Sequence, residues 1–245
     1  MFSEINSENH DCPETKSPVH SYIIASTPRS GSSLLSAMLW DTGIAGVPHE
    51  YFHDKHSLDF IKRWDVKTMS QYFSLLLRNR STPNGVFGAK LHLHQMANFP
   101  LGYKDLVDYL HSPKYIYIQR KNKLLQAVSF VRAFKTKQWE VKEGESVKSV
   151  EYDFTMLDKA YKKLNDAEEK WEQYFSEFGI SPFRIVYEEF VNSKENTIRE
   201  VLCYLGQDPD SVEIAPPSMR KMADSLSEEW VSRYLDDCRI KEKST

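Results

Sequence analysis

Apolar positions along the chain follow two periods. Short, nearly continuous apolar runs at Tyr22–Ser26, Val86–His92, Lys114–Ile118 and Phe183–Tyr187 predict strands covered on both faces. Helical spacing fills the gaps at Thr68–Arg80, Lys104–His111, Lys123–Lys135 and Thr155–Phe178. In the last of these, Leu157, Tyr161, Leu164, Trp171, Tyr174, Phe175 and Phe178 recur on one face and Gly179 closes the pattern, a stripe that reads as core packing. Strands alternating with helices predict an α/β fold with a P-loop-type, mainly parallel sheet flanked by helices. Ligands in such folds sit beyond the carboxyl ends of the strands, here the loops after Ser26 and Ile118.

The first of these loops carries most of the functional information. Tyr22-Ile23-Ile24-Ala25-Ser26 leads through Thr27-Pro28-Arg29-Ser30-Gly31-Ser32-Ser33 into an amphipathic helix with Leu34, Leu35, Met38 and Leu39 on one face and Gly43 at its end. A strand entering a helix N-terminus through small residues is an anion site, because loop amides and the first helical turn present free N–H groups. Ser30, Ser32 and Ser33 add hydroxyl donors, and Arg29 adds a planar, permanently charged fork suited to phosphate or sulfate. The plainer alternative is an ordinary strand–turn–helix with Ser33 as N-cap.

The loop lacks the Lys that follows the second glycine of a nucleotide triphosphatase loop, since Ser32 follows Gly31. The strand Lys114–Ile118 ends in Gln119-Arg120 and supplies no Asp for Mg²⁺. A phosphate loop without a metal-holding carboxylate fits transfer of a singly charged group, such as sulfuryl, better than triphosphate hydrolysis. No metal is expected.

The 245 residues carry a net charge of −3, which excludes a broad basic surface for nucleic acid. Cys12, Cys203 and Cys238 are far apart with no metal-ligand spacing, which predicts a reducing, cytoplasmic setting. There is no transmembrane segment and no signal-peptide apolar run. Residues 1–20 read as a disordered N-terminal segment, followed by a single domain over 21–240.

A second candidate anion site lies at Gln119–Ala133. Arg120 ends a strand and Ser129 sits on the following helix, so both face one anion only if the chain turns back between them. The alternative is an Arg paired with a surface carboxylate and a solvated Ser.

Together the two segments resemble the phosphosulfate and 3′-phosphate motifs of sulfotransferases that use 3′-phosphoadenosine 5′-phosphosulfate (PAPS). The closer resemblance is to the bacterial carbohydrate sulfotransferases related to trehalose 2-sulfotransferase. It runs through Thr42–Phe52, Pro83–Leu91, Gln126–Phe130, Leu205–Pro209 and Ser227–Tyr234. The resemblance implies that Arg29, Ser30, Gly31, Ser32 and Ser33 hold the 5′-phosphosulfate and that Arg120 with Ser129 holds the 3′-phosphate. It makes Glu50 the catalytic base and Pro48, His49, Tyr51, Phe52 and His53 the acceptor side. It also admits a homodimer. Val47 replaces a Glu of the family motif and Pro28 stands where the trehalose enzymes have Gln, departures that leave the chemistry intact and put trehalose in doubt.

The expected reaction is in-line transfer of the sulfuryl group of PAPS to a hydroxyl of a carbohydrate or glycolipid-type acceptor. Arg29 stabilises the leaving oxygen, and Glu50 takes the proton with its pKa raised by the apolar Tyr51 and Phe52 beside it. His49 and His53 are rival bases. Lys90 is a secondary candidate for contact with ligand, while Trp139 and Trp230 are read as packing residues. Alternative readings are a small-molecule kinase of the P-loop class and a non-catalytic nucleotide-binding module.

Overall fold

The computed structural model describes residues 6–12, 20–98, 106, 108–139, 148–217 and 225–242. Four strands account for the continuous apolar runs: β1 (His20–Ser26), β2 (Val86–His92), β3 (Lys114–Gln119) and β4 (Phe183–Val186). They form one parallel sheet in the order β2-β1-β3-β4. Alternate residues of the same strands enter opposite cores, as the two-residue period of a strand requires. Ile23, Ala25, Phe87, Ala89, Leu91, Tyr115 and Tyr117 face one core, while Tyr22, Ile24, Val86, Ile116, Ile118 and Ile185 face the other.

Helices close both faces. Over the second core lie α1 (Ser32–Asp41), through Leu35, Met38 and Leu39, and a later helix at Lys194–Leu205, through Ile198, Val201, Leu202 and Leu205. The first core is covered by α2 (Asp54–Arg63), α3 (Met69–Arg80) and the long helix Phe154–Glu177. Short α4 (Leu93–Asn98) follows β2 directly, and α5 (Lys123–Thr136) follows β3. The Phe154–Glu177 helix is α6; Trp171, Tyr174 and Phe175 of its stripe are buried, whereas Phe178 just past its end is 44% exposed. After β4 come α7 (Tyr187–Phe190), the Lys194–Leu205 helix, which is α8, and α9 (Ser225–Glu242). Trp230 and Tyr234 of α9 pack with Leu157 and Leu164 of α6, and Arg132 of α5 donates to Ser227 Oγ at 2.6 Å. The helix expected at Lys104–His111 falls partly outside the described residues; Leu106, Asp108 and Tyr109 are helical. Among the described residues no helix is long and apolar enough to cross a membrane.

Strand register sets the functional edge. Ser26 lies opposite His92 on one side and Ile118 on the other, so three strands end level. After β1 the chain moves to β2 on one side and returns to β3 on the other. The crevice at this reversal, beyond Ser26 and Ile118, is where open α/β sheets bind ligands.

The N-terminal segment departs from expectation in part. Residues 1–5 and 13–19 lie outside the described residues, but 6–12 form an ordered strap containing a single 3₁₀ turn, Glu8–His10. Cys12 N–H donates to Asn79 O at 2.8 Å, and the His10 ring meets Trp40 edge-on at 4.9 Å. Asp11 supplies the reason: its carboxylate lies 2.9 Å from the wholly buried guanidinium of Arg80 and also pairs with Arg63. A buried cation needs such a counter-charge, so the strap is fixed by electrostatics rather than by apolar content.

Removing one partner of a buried pair strands the other, and Asp11 is itself only 22% exposed. Asp11→Ala is therefore expected to lower unfolding free energy by about 3 kcal/mol. Lys67→Ala, which removes an exposed pair with Asp65, should change it by less than about 0.5 kcal/mol. Urea unfolding of both variants checks the contrast.

Candidate active site

The loop after β1 is clamped from below. Trp171 of α6 donates its indole N–H to Ser26 O at 3.0 Å, and buried Gln126 of α5 donates from Nε2 to Thr27 Oγ1 and Pro28 O, both at 2.8 Å. These bonds hold a backbone that enters the left-handed region twice, at Arg29 (φ 65°) and Gly31 (φ 95°). Only a glycine fits at the second position, because a Cβ there would fall 2.3 Å from Cδ2 of Tyr187. Gly31, not Ser33, is the N-cap of α1, and no side chain caps that turn. By contrast α3, α5 and α6 are capped by Thr68, Asn122 and Asp153. The first-turn amides of α1 are thus left for an anion. Ser30 is fully buried and its Oγ has no hydrogen-bond partner, a cost that a ligand oxygen would relieve. Ser32 is buried at the start of the helix.

Glu50 reaches the same edge by a closely tied loop. Gly46 (φ 71°) lies so near β2 that a Cβ would come 2.7 Å from Gly88 N, and Lys90 N–H donates to His49 O at 2.8 Å. The Lys90 ammonium, 4% exposed, lies 2.9 Å from Glu50 Oε1 and donates to Ser33 Oγ at 2.9 Å. It therefore joins the carboxylate to the first turn of α1. Gln95 of α4 donates to Glu50 Oε2 at 2.8 Å, and His92 Nε2 stands 3.7 Å from Oε1. His92 Nδ1 lies 2.9 Å from Ser26 O, which can only accept, so Nδ1 carries the proton and Nε2 holds the lone pair.

The expected electrostatics are reversed. Burial alone would raise the Glu50 carboxyl, but Lys90 and His92 beside it hold it well below the usual carboxylate range. Tyr51 and Phe52, expected to raise that pKa and to face an acceptor, are 0% and 1% exposed and point into the first core. There the Tyr51 hydroxyl donates to Val47 O, and Tyr72 donates to Tyr51 O at 2.7 Å, so these residues anchor the loop. Pro48 is buried beside them. His49 is 2% exposed and stacked on His56 at 4.7 Å, and burial, aided by Lys90, pushes its pKa well down. His53 precedes α2 and meets His56 at 5.0 Å. The imidazole that faces Glu50 is thus His92, which sequence reasoning missed. The available signal was its position two residues after Lys90, which puts both on one face of β2.

The second segment is also rearranged. Ser129 accepts from Arg29 Nε at 3.0 Å, while Arg29 NH1 donates to Trp139 O at 2.6 Å. Arg120 is buried with its guanidinium 5.0 Å over the Tyr187 ring, and its Nε, 3.9 Å from Glu188, has no hydrogen-bond partner. So the structure joins Ser129 to Arg29 rather than to Arg120, and the two candidate sites share one edge. Among the described residues no cluster of three His, Cys, Asp or Glu is placed to hold a metal ion.

In wild type the depressed Glu50 pKa contributes stability that is complete above the unfolded value near about 4.3 and is lost as pH falls through the folded value. In Lys90→Met the largest opposing charge is lost while His92 remains, and the Glu50 pKa is expected to rise from its wild-type position. The loss of stability on acidification is then smaller in the variant than in wild type. Carboxyl NMR titration of Glu50, with urea unfolding across pH, checks both halves.

Known proteins share sequence and fold with this chain. The chain is 29% identical over 261 residues to a trehalose 2-sulfotransferase of Mycobacterium tuberculosis, covering 88% of this chain and 94% of that one. It is 30% identical over 258 residues to a trehalose 2-sulfotransferase of Mycolicibacterium smegmatis, covering 89% and 95%. A sulfotransferase structure from Alicyclobacillus acidocaldarius shares the fold, with a TM-score of 0.52 at 14% identity over 89% of this chain and 92% of that one. The sequence matches the Stf0 sulphotransferase family across residues 21–237, and the chain belongs to that family.

Proposed function

We propose that this sulfotransferase moves the sulfuryl group of PAPS to a hydroxyl of a carbohydrate or glycolipid-type acceptor, with Glu50 as general base. The observation that carries this reading is the bridge Ser33–Lys90–Glu50, two contacts of 2.9 Å that set a carboxylate beside an uncapped helix N-terminus. PAPS supplies an activated sulfuryl group on a phosphate leaving group. The α1 amides, Ser30 and Arg29 suit the 5′-phosphosulfate, and the orphaned Oγ of buried Ser30 fits a ligand oxygen there. Arg120, whose Nε has no hydrogen-bond partner and lies 3.9 Å from Glu188, suits the 3′-phosphate, and Ser129 is joined to the site through Arg29. The acceptor oxygen gains a bond to sulfur, its proton passes to Glu50, and the sulfur–oxygen bond to phosphate breaks.

Lys90 gives Glu50 its timing. While the ammonium rests on the carboxylate, Glu50 is a weak base; an anion on the loop competes for the ammonium and frees the carboxylate to accept a proton. A pure nucleotide-binding module has no use for this arrangement, and family membership sets the kinase reading aside. The departures at Val47 and Pro28 leave the sugar open to acceptors other than the trehalose named for the mycobacterial relatives. A second reading makes His92 the base, favoured by the lone pair on Nε2 and by burial, which lowers the pKa of the ring.

Turnover with PAPS and a panel of hydroxylated sugars tests the assignment. Glu50→Gln keeps the shape but cannot take a proton, so it should cut turnover by about 10²–10⁴-fold with donor affinity nearly unchanged. His92→Asn should cost less than about tenfold. Near-normal turnover in Glu50→Gln with an inactive His92→Asn transfers the role to His92.

A further inference from the structure

Tyr187 starts α7 directly after β4, and the strand register decides what it meets. Gln119 and Val186 are paired at the ends of β3 and β4, so the next residue on each strand, Arg120 and Tyr187, leaves the sheet at the same level. The Arg120 guanidinium lies over the Tyr187 ring at 5.0 Å. The same ring touches Gly31 so closely that no Cβ is tolerated, with 2.3 Å left to Cδ2. Glu188, the next residue, accepts from the N–H groups of Lys121 at 2.9 Å and Asn122 at 3.1 Å. Two consecutive residues at the end of β4 therefore bear on both loops: an aromatic ring against the loop after β1, and a carboxylate fixing the turn after β3.

We propose that Tyr187, braced by Glu188, is a spacer that sets the separation of the two anion sites, so that a nucleotide phosphorylated at both ribose ends is bound as one ligand. This rests on the donor reading above. A nucleoside is stiff, and its second phosphate binds as an intramolecular event whose gain depends on the sites matching its span. An aromatic ring is well suited to hold such a distance, because it is incompressible and has only two side-chain torsions. On this account Tyr187 is a positioning residue, and its effect is on the bisphosphate specifically.

Calorimetry with 3′-phosphoadenosine 5′-phosphate, 5′-AMP and 3′-AMP tests this on wild type, Tyr187→Phe, Tyr187→Leu and Tyr187→Ala. Wild type and Tyr187→Phe should both prefer the bisphosphate. Tyr187→Leu, which keeps bulk without a flat ring, and Tyr187→Ala should lose about tenfold more affinity for the bisphosphate than the two monophosphate losses combined. A bisphosphate loss no larger than that combination, or unchanged binding in Tyr187→Leu and Tyr187→Ala, overturns the spacer and leaves the ring a packing residue. Should wild type bind the bisphosphate no better than 5′-AMP, the donor reading fails and the spacer falls with it.

Discussion

An ammonium taken out of water must find negative company, and Lys90 finds it in Glu50. The cost of burying either charge alone is several kcal/mol, so the pair forms together or not at all. That requirement draws three distant segments to one point: β2 brings the lysine, the loop from Gly46 brings the carboxylate, and α1 offers Ser33. It also resolves a conflict built into the site. A carboxylate beside the helix N-terminus proposed to take an anion would repel it, and a cation between them makes the neighbourhood tolerable. The remaining contacts on Glu50, from Gln95 and His92, orient a group whose location the ion pair has already decided.

The fold was largely legible because the sheet is covered on both faces. Val86–His92 was matched to the residue, and β1, β3 and β4 to within two positions, since strands buried on both sides read as unbroken apolar runs. The loop after β1 was legible for a similar reason, as small residues between strand and helix have few other uses. What lay beyond sequence was contact between segments. Tyr51 and Phe52 are neighbours of Glu50 along the chain and were credited with its environment, yet their side chains turn into the core. Lys90 and His92 are forty and more positions away and set that environment instead. Likewise Ser129 was grouped with Arg120 by proximity in sequence, whereas α5 turns it toward Arg29. Helices α2, α4, α7, α8 and α9 have no counterpart in the sequence reading, although α8 repeats apolar residues at helical spacing through Ile198, Val201, Leu202 and Leu205.

The ties that hold the loop after β1 lie outside the loop itself. Arg29 adopts a left-handed backbone that costs a non-glycine residue about 1 kcal/mol or more. Gln126, Trp171 and the Tyr187 ring, from three separate elements, stabilise the loop from the core side. A loop prepared in this way loses little entropy on binding, and the donors it presents are aimed before the ligand arrives.

The N-terminal strap carries a consequence for how the chain becomes native. Arg80 sits at the end of α3, and its contact with Ser7 O spans 73 positions of sequence. Until α2 and α3 pack, no guanidinium is waiting to receive Asp11; until Asp11 arrives, α3 must dock with a bare charge in its last turn. The docking of α3 and the ordering of the strap are therefore thermodynamically coupled. Closing so long a loop costs little more entropy than closing a shorter one, so the distance in sequence is no obstacle to this contact. The strap thus acts as a seal on the helical layer, closing over the buried charge that α3 carries into it through Arg80.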